Sequence, residues 1–165
     1  VIGGGDFAAD RIVPDCLRAA AKGEDIIVRN PYSTRPYQHV LEPLGAYLLI
    51  AMRQVEDPGW AGNYNVGPEE KDCVTTGKLA DLFCQAWGQG LQWINRSDGG
   101  PHEASFLKLD CSRIKKILGW QPRYGVNEAV RRTVEWSRAY LDGMDVRQVM
   151  DQQILDYFSA PASIS

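Results

Sequence analysis

Arg35 stands directly before Pro36 in the stretch "STRPYQHVLEP". A residue that precedes proline is pushed out of the helical region into extended geometry. An arginine held this way projects a planar fork of donors in a fixed direction from the start of a strand. That arrangement suits a phosphate clamp, because charge-assisted hydrogen bonds of this kind are worth about 1.5–3 kcal/mol each. The competing reading is a surface arginine in a turn. Arg11 follows the N-cap candidate Asp10 and brings a second cation near a helix N-terminus, where anions are already favoured. Gly3, Gly4 and Gly5 lie between an apolar pair and that helix, so the backbone can approach a ligand closely. The run "GGGDFAAD" does not match G-x-G-x-x-G, however, and fails as a dinucleotide fingerprint. It reads either as a loop at a strand end or as a ligand-lining loop.

His39 and His102 are far apart in sequence, and neither has metal-ligand spacing, so no metal site is expected. His102 and Glu103, in the glycine-rich loop "RSDGGPHEA", could contact hydroxyls or a base, or could be solvated. No nucleophile-elbow pattern occurs. The four cysteines, Cys16, Cys73, Cys84 and Cys111, contain no C-x-x-C pair and read as reduced core thiols of a cytoplasmic protein.

The elements that must position these residues follow from periodicity. Ile12, Val13, Cys16, Leu17 and Ala20 are spaced for a helix, with Asp10 as its N-cap and Gly23 ending it. "DIIVRNP" and "RPYQHV" predict short strands. The next helix carries Leu44, Tyr47, Leu48, Ala51 and Val55 on one face, and "GNYNVGP" predicts a further strand. "TTGKLADLFCQAWGQG" is a threonine-capped helix with Leu79, Leu82, Phe83 and Ala86. "LQWIN" and "SFLKLD" read as short strands or extended segments. They are followed by a short helix with Ile114, Ile117 and Leu118 inward and Trp120 locking its end. The spacing of Val126, Ala129, Val130, Thr133, Val134, Ser137 and Leu141 predicts a strong amphipathic helix. Val146, Val149, Met150 and Ile154 mark one face of the last helix. Alternating helices and short strands favour an α/β architecture, with too few strands for a complete doubly wound sheet. The opening "VIGGGDF" reads as the end of a strand that begins upstream, so a fragment of a longer protein is expected.

The chain has 165 residues, 44% apolar and 24% charged, enough for one sizeable core. Its net charge of −3 offers no global attraction to nucleic acid or anionic membrane, so local charges must hold any bound anion. No apolar run reaches transmembrane length.

The segments "VIGGGDFAADRIVPD", "RPYQHVLEPLGAYLLIA", "NYNVGP", "PHEASFLKLDCSRIKKILGWQPRY" and "EAVRRTVEW" occur in this order in the C-terminal half of extended short-chain dehydrogenase/reductases acting on nucleotide sugars. The chain resembles that family, and its wording is nearest the CDP-glucose 4,6-dehydratases. The resemblance implies the C-terminal portion of a Rossmann-type fold across residues 1–165. Most of it would be the small mixed α/β substrate-binding domain, with a few elements completing an NAD-binding Rossmann domain encoded upstream. It implies CDP-glucose or a related nucleotide sugar as ligand, and NAD in the parent protein but not bound well by this chain. In such lyases C4 of the sugar is oxidised, water is lost across C5 and C6, and hydride returns to C6. The product serves dideoxy-sugar and O-antigen synthesis.

The family's G-x-x-G-x-x-G loop, its Tyr-x-x-x-Lys pair and its acidic dehydration residues have no counterpart here. No catalytic residue is therefore expected in this chain, which should be inactive alone. By the same resemblance Arg35 grips the pyrophosphate, Arg11 and Ile12 meet the nucleotide, and Ile27 and Arg29 border the base pocket. His102 and Glu103 belong to the loop closing over the sugar nucleotide, and Gly3, Gly4 and Gly5 lie near the join of cofactor and substrate sites. The alternatives are another epimerase, dehydratase or reductase of the superfamily, and a non-catalytic nucleotide-binding or structural module. An incomplete sheet leaves apolar surface uncovered, so a homo-oligomer is expected.

Overall fold

In the computed structural model, residues 1–97 and 106–159 are described. Helix α1 (Ile12–Lys22) buries Val13, Pro14, Cys16 and Leu17 and ends at Gly23, whose left-handed backbone (φ 68°) lets the last turn close on the carbonyls of Ala19 and Ala20. Strand β1 (Ile26–Val28) follows, with Ile26 and Val28 buried and Ile27 facing out. β1 pairs in parallel with β4 (Trp93–Asn95), Ile26 opposite Trp93 and Val28 opposite Asn95. β2 (Thr34–Arg35) and β3 (Val74–Thr75) form a second, antiparallel pair.

Helices supply the bulk. α3 (Thr76–Trp87) starts at Thr75, whose hydroxyl accepts from the Lys78 amide at 3.1 Å. α5 (Val126–Leu141) lays Ala129, Val130 and Val134 against α1, β1 and α3 to make the main core. Its two buried hydroxyls cost little, because Thr133 and Ser137 each donate to the carbonyl four residues earlier at 2.7 Å. A smaller cluster forms where α2 (Leu41–Glu56) meets α4 (Ser112–Leu118), joining Ala46, Cys111, Ile114, Leu118 and Trp120. α6 (Val146–Ser159) packs on α5.

Several sequence expectations need correction. Asp10 is not the cap of α1. Arg11 occupies the N-cap without a side-chain cap bond, and Asp10 lies in the left-handed region (φ 59°). "GNYNVGP" forms no strand, and the strand read across "RPYQHV" shrinks to Arg35 in β2 plus an isolated parallel bridge between His39 and Ile2. The predicted apolar face of α2 exists but is not covered: Tyr47, Leu48 and Val55 are 60%, 56% and 88% exposed, and the helix instead buries Glu42, Pro43 and Ala46. α6 likewise buries Gln153 and Tyr157 while Met150 and Ile154 face solvent, and Ile117 and Leu141 are also exposed. Periodicity identifies which side chains share a face, but it does not say which face finds a partner.

Candidate functional site: an arginine-lined cleft

The first residues of the chain run beside the segment that leads into α2. The Ile2 amide donates to the Gln38 carbonyl at 2.8 Å, and the Val40 amide donates to the Ile2 carbonyl at 2.8 Å. This short parallel contact places the glycine loop next to β2 and beside the start of α1. Between them opens a cleft of about 360 Å³, lined among others by Gly3, Asp6, Arg11, Ile12, Arg35 and Tyr37. Arg35 reaches it from β2, where Pro36 keeps its backbone extended, and its Nη1 donates to the Thr34 carbonyl at 3.1 Å. Tyr37 is anchored by a 3.0 Å hydrogen bond between its hydroxyl and Thr76 Oγ1. Arg11 enters from the N-cap of α1 with an exposed side chain and donates to Asp6 Oδ2 at 3.4 Å.

The cleft thus brings together Arg35, Arg11, Ile12 and Gly3 out of the residues singled out by sequence. Ile27 and Arg29 are not among its lining. Ile27 faces out from β1, and Arg29 pairs with Asp10 at 3.0 Å on the surface. Nor do Gly4 and Gly5 line it. A Cβ on Gly4 would fall inside the Trp136 ring, which explains the glycine by packing, whereas Gly5 serves a turn at φ 82°. His102 and Glu103 lie outside the described residues. Among the described residues no group of three or more His, Cys, Asp or Glu side chains could hold a metal ion. Likewise, no helix there is long and apolar enough to cross a membrane.

Behind the cleft sits a polar layer that sequence reasoning missed. His39 is only 2% exposed, and its Nδ1 accepts from the Leu41 amide at 3.3 Å. Burial, helped by the nearby Arg132 charge and opposed by Glu128, pushes its pKa down to about 4, so the ring is neutral. Glu42, with no exposed surface, accepts from the amides of Arg123 (3.0 Å) and Tyr124 (2.7 Å) and from the Tyr157 hydroxyl (3.0 Å). Burial raises its pKa, and these three donors oppose the rise. Arg132 joins the same region by pairing with Glu128 at 2.8 Å and with Asp156 of α6 at 2.7 Å. One carboxylate therefore ties α2, the turn before α5 and α6 together. No local pattern announces it, because a glutamate in the first turn of a helix ordinarily faces water.

The architecture is the C-terminal portion of a Rossmann-type extended short-chain dehydrogenase/reductase fold. A crystal structure of UDP-glucose 4-epimerase superposes on it with a TM-score of 0.73 at 19% identity, covering 87% of this chain and 45% of that one. The Bordetella bronchiseptica enzyme WbmF in complex with NAD+ and UDP gives 0.61 at 17% identity, over 89% and 42%. Sequence narrows this further. The chain is 43% identical over 161 residues to CDP-glucose 4,6-dehydratase of Salmonella typhimurium, a match spanning 97% of this chain and 45% of the relative, and is a homologue of its C-terminal part. The chain therefore spans less than half the length of this relative. No protein-family profile matches it.

Proposed function

We propose that this chain is the nucleotide-sugar-binding part of an NAD-dependent CDP-glucose 4,6-dehydratase, the lyase that converts CDP-glucose to CDP-4-keto-6-deoxyglucose and water. The observation that carries this reading is the meeting of Arg35, Arg11 and Ile12 on one cleft in a chain homologous to that enzyme. Two guanidinium groups lining one cleft suit the two phosphates of a sugar nucleotide, Arg35 from an extended backbone and Arg11 from a helix start. By the resemblance His102 and Glu103 complete the proposed ligand set, whereas Ile27 and Arg29, carried over for the base, do not line this cleft.

The residues present do not fit NAD. Trp136 packs on Gly4, and the sequence has neither a dinucleotide loop nor a Tyr-x-x-x-Lys pair. The cofactor and the catalytic groups therefore belong to an upstream half, and this chain is inactive alone. The apolar stripe of Tyr47, Leu48 and Val55 on α2 supports such a half, since a single-domain surface rarely leaves such a stripe open. The isolated bridge between Ile2 and His39 has the look of one rung of a larger parallel sheet. The second reading, an epimerase of the same superfamily, is favoured by the fold match to UDP-glucose 4-epimerase.

Calorimetric titration with CDP, UDP and dTDP separates the two readings, repeated on Arg35→Ala. Saturable binding that prefers CDP and collapses in the variant is the expected result. Preference for UDP moves the assignment to an epimerase. Binding that ignores the arginine substitution removes the cleft from the site altogether.

A further inference from the structure

The two threonines that open α3 act on different parts of the chain. Thr75 caps the helix, whereas Thr76 turns to the segment that carries Arg35. The Thr76 amide donates to the carbonyl of buried Ser33 at 3.0 Å, and the Gly77 amide donates to the Pro31 carbonyl at 2.8 Å. The first turn of α3 thus rests on the chain that leads into β2. The Thr76 hydroxyl also donates to the Ser33 carbonyl, at 3.3 Å, and lies 3.0 Å from the Tyr37 hydroxyl. A threonine has one hydroxyl proton, and with that proton on the Ser33 carbonyl it is Tyr37 that donates to Thr76. One side chain thereby holds the residue two before Arg35 and the residue two after it. The β2–β3 ladder covers two residues, Thr34 opposite Thr75 and Arg35 opposite Val74, and so short a pairing is marginal by itself. Beyond it the chain turns at once about Pro36, with the Tyr37 amide donating to the Arg35 carbonyl at 3.1 Å. Tyr37 packs on the main core, so its bond to Thr76 ties this turn to a fixed body.

Resting on the reading of this cleft as the diphosphate site, we infer that Thr76 is the positioning residue of Arg35. It stands behind the cleft rather than among its lining residues, and it sets the direction of the guanidinium through the backbone on either side of Arg35. A planar fork meets phosphate oxygens in pairs only when its plane and axis are right. A small rotation of the Arg35 backbone is carried out along a long side chain and misplaces the fork at its end. The guanidinium already leans on the same framework, since Nη1 donates to the Thr34 carbonyl, which also accepts from the Leu107 amide at 3.2 Å. A lysine at this position would be a point charge on a flexible stem and would need no such aiming.

The test is titration of this chain with CDP, followed by NMR, as wild type, Thr76→Val and Thr76→Ser, with Thr76→Val repeated in Arg35→Lys. Valine keeps the shape and the amide bond to Ser33 but removes the hydroxyl, and serine restores the hydroxyl. The expected result is CDP bound about fivefold more weakly by Thr76→Val and within about twofold of wild type by Thr76→Ser. In Arg35→Lys, Thr76→Val should change the affinity less than about twofold. Wild-type affinity in Thr76→Val overturns the inference, as does a Thr76→Ser protein that recovers nothing. A loss that persists undiminished in Arg35→Lys overturns it too, and makes Thr76 a support of the whole cleft. If Thr76→Val does not fold, Tyr37→Phe removes the same bond from its other partner and is read by the same outcomes. An Arg35→Ala control reports on the underlying reading. If it binds CDP no more weakly than the wild type, the cleft is not the diphosphate site and the inference falls with it.

Discussion

Replacing Tyr157 by Phe removes one oxygen from the protein and tests whether α6 is latched through a buried carboxylate. The hydroxyl is buried and donates to Glu42 Oε2 at 3.0 Å. A hydrogen bond to a charged group contributes about 1.5–3 kcal/mol, and its removal leaves one oxygen of Glu42 without this donor. The loss at neutral pH should be about 2 kcal/mol, which for a chain of this size lowers Tm by about 4–8 °C. The pH dependence has a definite sign. Burial raises the folded-state pKa of Glu42, so the contribution of this group to stability is full below the unfolded pKa and is lost as pH rises through the folded one. The Tyr157 donor acts against that rise, and without it the ionised form becomes costlier still. The Tyr157→Phe penalty must therefore be larger at about pH 7.5 than at about pH 4.5, where a protonated Glu42 needs the donor less. Urea unfolding followed by circular dichroism at both pH values measures it. A double-mutant cycle with Glu42→Gln should show a coupling of at least about 1 kcal/mol. A penalty below about 0.5 kcal/mol at neutral pH, or one that grows on acidification, would refute the latch.

Three other outcomes follow from the same geometry. His39→Asn keeps an acceptor for the Leu41 amide but removes the titration. The wild type should lose about 3 kcal/mol more than the variant between about pH 6.5 and pH 4, because the buried imidazole resists protonation down to about 4. Measuring the difference between the two proteins isolates this from Glu42, whose shift acts in the opposite direction. Gly4→Ala drives a methyl group into the Trp136 ring and should cost about 3 kcal/mol, seen as a lower midpoint in thermal unfolding. Leu48→Glu places a charge in the exposed stripe of α2. If self-association of this chain runs through that stripe, light scattering should show the wild type as an oligomer at high concentration and the variant as a monomer, and a monomeric wild type sinks the idea.

Much of the local structure was legible in the sequence, since it depends on neighbours a few residues away. The helical spacing of Val126 through Ser137, the stop at Gly23, the Thr75 cap and the extended backbone forced on Arg35 by Pro36 all arise this way. The resemblance carried by five spaced segments likewise pointed to the fold class before any coordinate did. Which residues share the cleft was a different matter. Gly3, Asp6 and Arg11 meet Arg35 only because a two-bond parallel contact sets residue 2 beside residues 38–40, and contacts over that separation leave no periodic mark. Gly4 looked like a ligand-approach glycine until α5 placed Trp136 against it. Glu42 shows the limit most clearly. An isolated buried carboxylate is costly, so sequence reasoning puts it in water, and only the tertiary structure could supply the three donors from residues 123, 124 and 157 that keep it inside. Local chemistry determined the elements, and long-range packing decided which of their polar groups were brought together.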